Sequence, residues 1–121
     1  MDEDGKGRFF FGLFQYDWEK ENNIEGIAIL NPNGKWEHHH VKNSGMPYDH
    51  SNGIVYDRKE KILWISTEKS GLVRYDLNGN WEHYHSDNSS LPTSAIRDIT
   101  RDSKGNIYLG TQNGTAKISR K

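Results

Sequence analysis

Asn78-Gly79-Asn80-Trp81-Glu82-His83-Tyr84-His85 repeats Asn33-Gly34-Lys35-Trp36-Glu37-His38-His39-His40 at a displacement of 45 residues. The match runs outward on both sides. Upstream, Gly26-Ile27-Ala28-Ile29-Leu30 falls on Gly71-Leu72-Val73-Arg74-Tyr75; downstream, Met46-Pro47 falls on Leu91-Pro92, Ile54 on Ile99 and Asp57 on Asp102. After a shift of one residue, Leu63-Trp64-Ile65-Ser66-Thr67 falls on Ile107-Tyr108-Leu109-Gly110-Thr111, and Phe9-Phe10-Phe11-Gly12 is a third copy. Repetition at such a period marks solenoids, propellers and arrays, and it changes what each recurring residue means.

Within each repeat the apolar residues form short β-branched and aromatic runs separated by turn residues, which predicts strands and no helix. Asn78-Gly79 and Asn33-Gly34 predict type I′ hairpin turns, in which both central residues take positive φ. Asp102-Ser103-Lys104-Gly105-Asn106 predicts a further tight connection, with Gly5-Lys6-Gly7 its counterpart near the start. Four antiparallel strands at a 45-residue period describe an all-β chain built of β-propeller blades. Burial of both blade faces accounts for the continuous apolar runs Ile62-Leu63-Trp64-Ile65 and Ile107-Tyr108-Leu109.

The 121 residues hold roughly 2.5 blades, whereas closed propellers have about four to eight. The expected organisation is a single partial propeller domain over 1–121: a partial blade at 1–41, a blade at 42–86 and a partial blade at 87–121. Three strands are expected in the first unit, four in the second and three in the third. Either the chain is a segment of a longer propeller, or copies associate through open blade faces that would otherwise be aggregation-prone.

Charge and composition exclude several classes. With 16 Lys+Arg against 17 Asp+Glu, the net charge of −1 argues against nucleic-acid and polybasic membrane surfaces. The absence of cysteine excludes disulfides, thiolate nucleophiles and thiolate metal sites. No run reaches the ~20 apolar residues of a membrane helix. The acidic start Met1-Asp2-Glu3-Asp4 is unlike a signal peptide, and none is expected within the chain. Mean hydropathy is low at −0.98, but 12% aromatics suit many short strands with few, bulky core residues.

The string Trp81-Glu82-His83-Tyr84, Asp87-Asn88-Ser89-Ser90-Leu91-Pro92, Asp102-Ser103-Lys104-Gly105-Asn106-Ile107-Tyr108-Leu109-Gly110-Thr111 closely resembles the two-component regulator propeller repeat. Asn43-Ser44-Gly45-Met46-Pro47, Leu63-Trp64-Ile65-Ser66-Thr67 and Ser70-Gly71-Leu72 supply a second copy. The chain departs from the pattern at Ser66, where glycine is expected, at Thr115-Ala116, where Gly-Leu is expected, and at the longer turn Arg58-Lys59-Glu60-Lys61. The resemblance implies a periplasmic or extracellular location, in the sensor region of bacterial hybrid histidine kinases or in secreted proteins, often with polysaccharide-derived signals. It brings no universal catalytic residue.

The expected role is therefore non-enzymatic ligand sensing or protein interaction. The rival is a propeller enzyme of the virginiamycin-B-lyase or gluconolactonase-like type, built on a metal-supported acid or base inside a closed ring. The expected innermost strands, Gly53-Ile54-Val55 and Ile96-Arg97-Asp98-Ile99, offer only Arg97 and Asp98 as charged lining, and no conventional catalytic signature is present. No cofactor is expected.

Particular side chains invite chemistry. His38 with His40, and His83 with His85, sit at i and i+2 on one strand face, a spacing open to metal binding. Their recurrence beside Trp36 and Trp81 favours packing, and no metal site is expected; His39 and His50 are unmatched and expected to be exposed. The connection from Gly12 to Gly26 is nine residues longer than its counterpart from Ser66 to Gly71. Its Phe14, Tyr16 and Trp18, interleaved with Asp17, Glu19, Glu21 and Glu25, could stack on and hydrogen-bond a sugar, or could form a plain hairpin extension. The propeller topology predicts Thr67, Glu68 and Lys69 near Ser44 and Gly45, and Thr111, Gln112 and Asn113 near Asn88 and Ser89. The candidate binding residues for a carbohydrate or other small ligand are accordingly Tyr16, Trp18, Glu68, Lys69, Gln112 and Asn113, while the threonines equally suit a turn-stabilising role. Asp57 and Asp102 suit their own turns.

Overall fold

Short β-branched and aromatic runs between Gly, Asn and Asp clusters favour neighbouring antiparallel strands joined by tight turns, and every described sheet is of this kind. The computed structural model describes residues 1–17, 22–40, 43–45, 51–67, 71–85, 95–111 and 113–118, with the backbone alone for 13–17 and 22–25. The strands are β1 (Asp2–Glu3), β2 (Phe9–Asp17), β3 (Asn22–Leu30), β4 (Trp36–His39), β5 (Ser51–Asp57), β6 (Ile62–Thr67), β7 (Leu72–Tyr75), β8 (Trp81–Tyr84), β9 (Ile96–Arg101), β10 (Ile107–Thr111) and β11 (Gly114–Lys117). They form three antiparallel meanders, β1-β2-β3-β4, β5-β6-β7-β8 and β9-β10-β11. The all-β blade architecture is present, as a partial propeller.

The first sheet has one strand more than expected: Asp2 pairs with Phe10 and Glu3 with Phe9. Met1-Asp2-Glu3-Asp4 carries no β-branched or aromatic residue to announce a strand. What holds it is the turn that follows, where the Asp4 carboxylate accepts from the backbone N–H groups of Lys6 at 2.7 Å and Arg8 at 3.1 Å.

The Asn-Gly turns also differ from expectation. Between β7 and β8 positive φ falls on Leu77 (67°) and Gly79 (90°), with Asn78 outside the left-handed region, so the turn is not type I′. It is a longer loop closed by Asp76, whose Oδ1 accepts from the N–H of Asn78 at 2.8 Å and of Asn80 at 3.1 Å. The left-handed step turns Leu77 onto the apolar core, and that contact offsets its conformational cost. A dipeptide signal does not foresee an aspartate two residues earlier competing for the same amides.

Two apolar layers join the three sheets. Phe10, Ile27 and Ile29 of the first meet Ile54, Tyr56, Leu63, Ile65, Val73 and Tyr75 of the second. Val55, Ile62, Trp64 and Leu72, on the second sheet's other face, meet Ile96, Ile99, Ile107 and Leu109 of the third. The middle sheet is covered on both sides, and all six residues of β6 are buried.

The flanks are unalike. On the first sheet, Phe9, Phe11, Ala28 and Leu30 are half-buried and Trp36 is 60% exposed, with Phe11 and Trp36 rings 5.7 Å apart. On the third sheet's outer face, Tyr108 pairs with Thr100 and Lys117, and Gly110 with Asp98 and Thr115, a mostly polar set.

Candidate functional site

The first strands of the three sheets, β1, β5 and β9, adjoin along one edge of the stack. There Met1, Asp2, Asn52, Gly53, Ile54, Val55, Asp98, Ile99, Thr100 and Arg101 line a trough of about 420 Å³. One charged cluster ties all three sheets together at this edge. Arg101 Nη1 donates to Asp2 Oδ2 at 2.6 Å and to the Tyr56 carbonyl at 2.6 Å, and Nη2 donates to Asp2 Oδ1 at 3.1 Å. The N–H of Tyr56 in turn donates to Asp2 Oδ2 at 2.7 Å. Burial works against ionising Asp2, but the bonds from Arg101 and the Tyr56 amide outweigh it, and the carboxyl sits below its ordinary range. The geometry is a charge-assisted, two-pronged clamp.

Sequence reasoning placed Arg97 with Asp98 in the inner lining. Asp98 lines the trough; Arg97 is exposed and outside it, and Asp2 and Arg101 supply the remaining charges. The reason is a bulge. Gly110 pairs with Asp98 and Thr111 with Ile96, which leaves Arg97 as the extra residue. The second sheet has the same irregularity at the same repeat position, where Ser51 pairs with Thr67 and Gly53 with Ser66, leaving out Asn52. Asn52 is used for joining sheets: its Nδ2 donates to the Ile96 carbonyl at 2.6 Å and its Oδ1 accepts from Ser66 Oγ at 2.7 Å.

Those bonds also explain Ser66 in a glycine position. Its hydroxyl holds Asn52, and room comes from Gly53, where an added Cβ would lie 2.7 Å from Ser66 Oγ and 2.6 Å from Ile99 Cγ2. The glycine of the pattern has moved across the strand pair. Ser51 continues the stitching toward the first sheet, donating from Oγ to the Gly26 carbonyl at 2.7 Å.

At the strand ends away from the Asp2–Arg101 clamp, where Ser51 pairs with Thr67, lies the face predicted to bind ligand. The Gly12 to Gly26 connection is a paired hairpin, with register running from Gly12↔Ile27 to Asp17↔Asn22. Tyr16 is a strand residue whose backbone pairs with Asn23; Trp18 lies outside the described residues. So do Glu68, Lys69 and Gln112, as do His50, Asn88 and Ser89. Asn113 is exposed in the β10–β11 turn, its N–H donating to Thr111 Oγ1 at 3.2 Å. Thr67 Oγ1 donates to the Gly71 carbonyl at 2.8 Å and Thr111 Oγ1 to the Gly114 carbonyl at 2.7 Å, so both threonine hydroxyls brace their own turns. Gly45 does not sit beside Thr67. It lies against Trp81, which pairs with Tyr75 and, through it, with the level of Leu63, four residues from Thr67 along β6.

The described histidines all make ring contacts. His38 and His40 rings are 5.1 Å apart and His83 and His85 rings 5.3 Å. His39, expected to be exposed, is instead turned between sheets, edge-on to Tyr75 at 5.4 Å and Trp81 at 5.5 Å. Its partner across the ladder is Ile27, a core residue, which puts it on the covered side. Among the described residues no three His, Asp or Glu gather as a metal-binding group.

Comparison with known proteins agrees with the resemblance drawn from the motifs. Residues 90–113 match the family described as "Two component regulator propeller". No curated protein matches the chain. Among solved structures, the extracellular domain of BT3049, named as a hybrid two component system of B. thetaiotaomicron, superposes with a TM-score of 0.76 at 20% identity over 98% of this chain. The corresponding domain of BT4673 of the same organism superposes with a TM-score of 0.60 at 22% identity over 78% of this chain. The chain spans 15% of the first of those structures and 12% of the second. At such identities the likeness is one of fold. No described helix is long and apolar enough to cross a membrane.

Proposed function

We propose that the chain is a segment of a β-propeller acting as a non-enzymatic ligand-sensing or protein-interaction module in the extracytoplasmic part of a two-component regulatory system. The observation that carries this reading is the match of one repeat to the two-component regulator propeller family, in a chain whose stacked blades superpose on extracellular domains of such systems. Periplasmic or extracellular placement follows from the same likeness.

In this reading ligand meets the strand ends that carry Tyr16, Trp18, Glu68, Lys69, Gln112 and Asn113. A paired hairpin holding aromatic residues beyond the edge of a rigid sheet suits stacking on a sugar ring. Remaining blades of a longer propeller cover the apolar flank at Phe9, Phe11, Leu30 and Trp36, just as the first sheet covers the corresponding face of the second.

The test is a glycan array followed by calorimetry on the hits. Binding of one class of oligosaccharide, weakened about fivefold by Trp18→Ala, corresponds to a stacking contribution of ~1 kcal/mol and supports the reading. Unchanged binding in that variant eliminates the hairpin as the site. Light scattering after size exclusion addresses the flank: a soluble monodisperse monomer contradicts the need for covering blades.

A further inference from the structure

We propose that the groove between the β5–β6 and β9–β10 turns binds an oxyanionic group, a carboxylate or sulfate, carried by a larger ligand or free in solution. It lies at the end of the blades opposite the hairpin face, since Asp57 pairs with Ile62 at one end of the β5–β6 ladder and Ser51 with Thr67 at the other. The site is therefore independent of the ligand face described above.

Six charged side chains line this groove of about 260 Å³: Asp57, Arg58, Lys59, Arg101, Asp102 and Lys104. Both carboxylates accept from backbone amides of their own turns. Asp57 is 2% exposed and accepts from the N–H groups of Lys59 at 3.0 Å and Glu60 at 3.2 Å. Asp102 accepts from the N–H groups of Lys104 and Asn106, both at 2.9 Å, from the Asn106 side chain at 3.0 Å and from the Tyr108 hydroxyl at 3.2 Å. Arg101 is held by Asp2, and Arg58 reaches Glu3, donating from Nη2 to its carbonyl at 3.4 Å and approaching its exposed carboxylate at 3.7 Å. Lys59 and Lys104 have no ion-pair partner among the described residues.

Four cationic side chains and two carboxylates that accept from turn amides thus line the groove, with Lys59 and Lys104 exposed, a local positive site in a chain of net charge −1. The two turns belong to adjacent sheets joined by a common apolar layer, so the spacing of the turns is set by the core. The volume falls below the ~300–1,000 Å³ of pockets that enclose a whole small ligand, which suits one anionic group of a longer molecule.

The experiment titrates the full chain with sodium sulfate and, separately, with a uronic-acid oligosaccharide, following backbone amide resonances at low ionic strength. The expected result is a saturable shift centred on Lys59 and Ser103 to Gly105, weakened at least fivefold in Lys59→Ala/Lys104→Ala and reduced by added chloride, as screening requires. Lys35→Ala, outside the groove, should bind as the unaltered chain does. Tighter binding of the oligosaccharide than of sulfate assigns a sugar-borne anion, and a response to sulfate alone assigns a free one. No saturable shift with either probe, a folded double variant that binds undiminished, or an equal loss in Lys35→Ala overturns the proposal. None of these outcomes depends on the hairpin face, because no residue of the Gly12 to Gly26 connection lines the groove.

Discussion

Trp36 and Trp81 occupy the same place in two copies of one repeat, yet their surroundings are opposite. Trp81 stacks on Tyr75 at 3.9 Å with ring planes 9° apart, meets the edge of His39 and is half-buried. Trp36 is 60% exposed with only Phe11 close by. Nothing in the strand itself separates them. Trp81 has a neighbouring sheet laid over its face and Trp36 has none. In a stacked-blade fold, the energetic value of a repeated residue is set by whether the next repeat is there to cover it.

The largest test of that contrast compares Leu63 with its repeat partner Phe9. Leu63 is fully buried between sheets, and Leu63→Ala should cost about 3 kcal/mol in urea denaturation. Phe9→Ala, on the uncovered flank, should cost less than half as much despite the larger side chain removed. Equal losses would show that the flank is covered in solution and break the comparison.

Trp81→Ala should lower stability by about 2 kcal/mol through the lost stack and burial, whereas Trp36→Ala should change it by less than ~0.5 kcal/mol and should reduce self-association measured by light scattering.

The clamp at the inner edge sharpens the contrast, because it ties down the very sheet whose outside is bare. Arg101→Ala should cost about 1–2 kcal/mol, allowing for the partial exposure of the pair. Asp2 is held ionised in the folded state, so its contribution is complete above the ordinary carboxylate range and is lost as pH falls through the lowered folded value. Melting temperature should therefore drop below about pH 4 in the parent, and Asp2→Asn should be less stable at neutral pH and show a shallower acid loss.

Ser66→Gly restores the repeat's usual residue and should still cost about 1 kcal/mol. The hydroxyl bond to Asn52, and with it the strap from Asn52 to the third sheet, would be lost.

The legible part of the fold was what recurs. A 45-residue spacing of Trp, Asn-Gly and Ile residues is enough to read strands and blades, because recurring apolar runs and turn residues leave periodic marks in the chain. The strand at Asp2–Glu3 left no mark, since a side-chain clamp and a turn hold it and not its own propensity. The Asn-Gly turn type was misread because Asp76 captures the turn amides. His39 was misplaced because it has no histidine partner in the next repeat, where Tyr84 stands in its position. Of the candidate binding residues, the structure describes the backbone of Tyr16 and the whole of Asn113.

Sequence alone determined the architecture here: local strand and turn chemistry, repeated at constant spacing, admits few arrangements other than stacked four-stranded sheets. Tertiary structure alone decided which copies of a residue are buried, that Asp2, Tyr56 and Arg101 meet across 99 positions of chain, and that the turn lysines share one groove. Those outcomes depend on how neighbouring sheets register against one another, a relation between distant segments that no local pattern encodes.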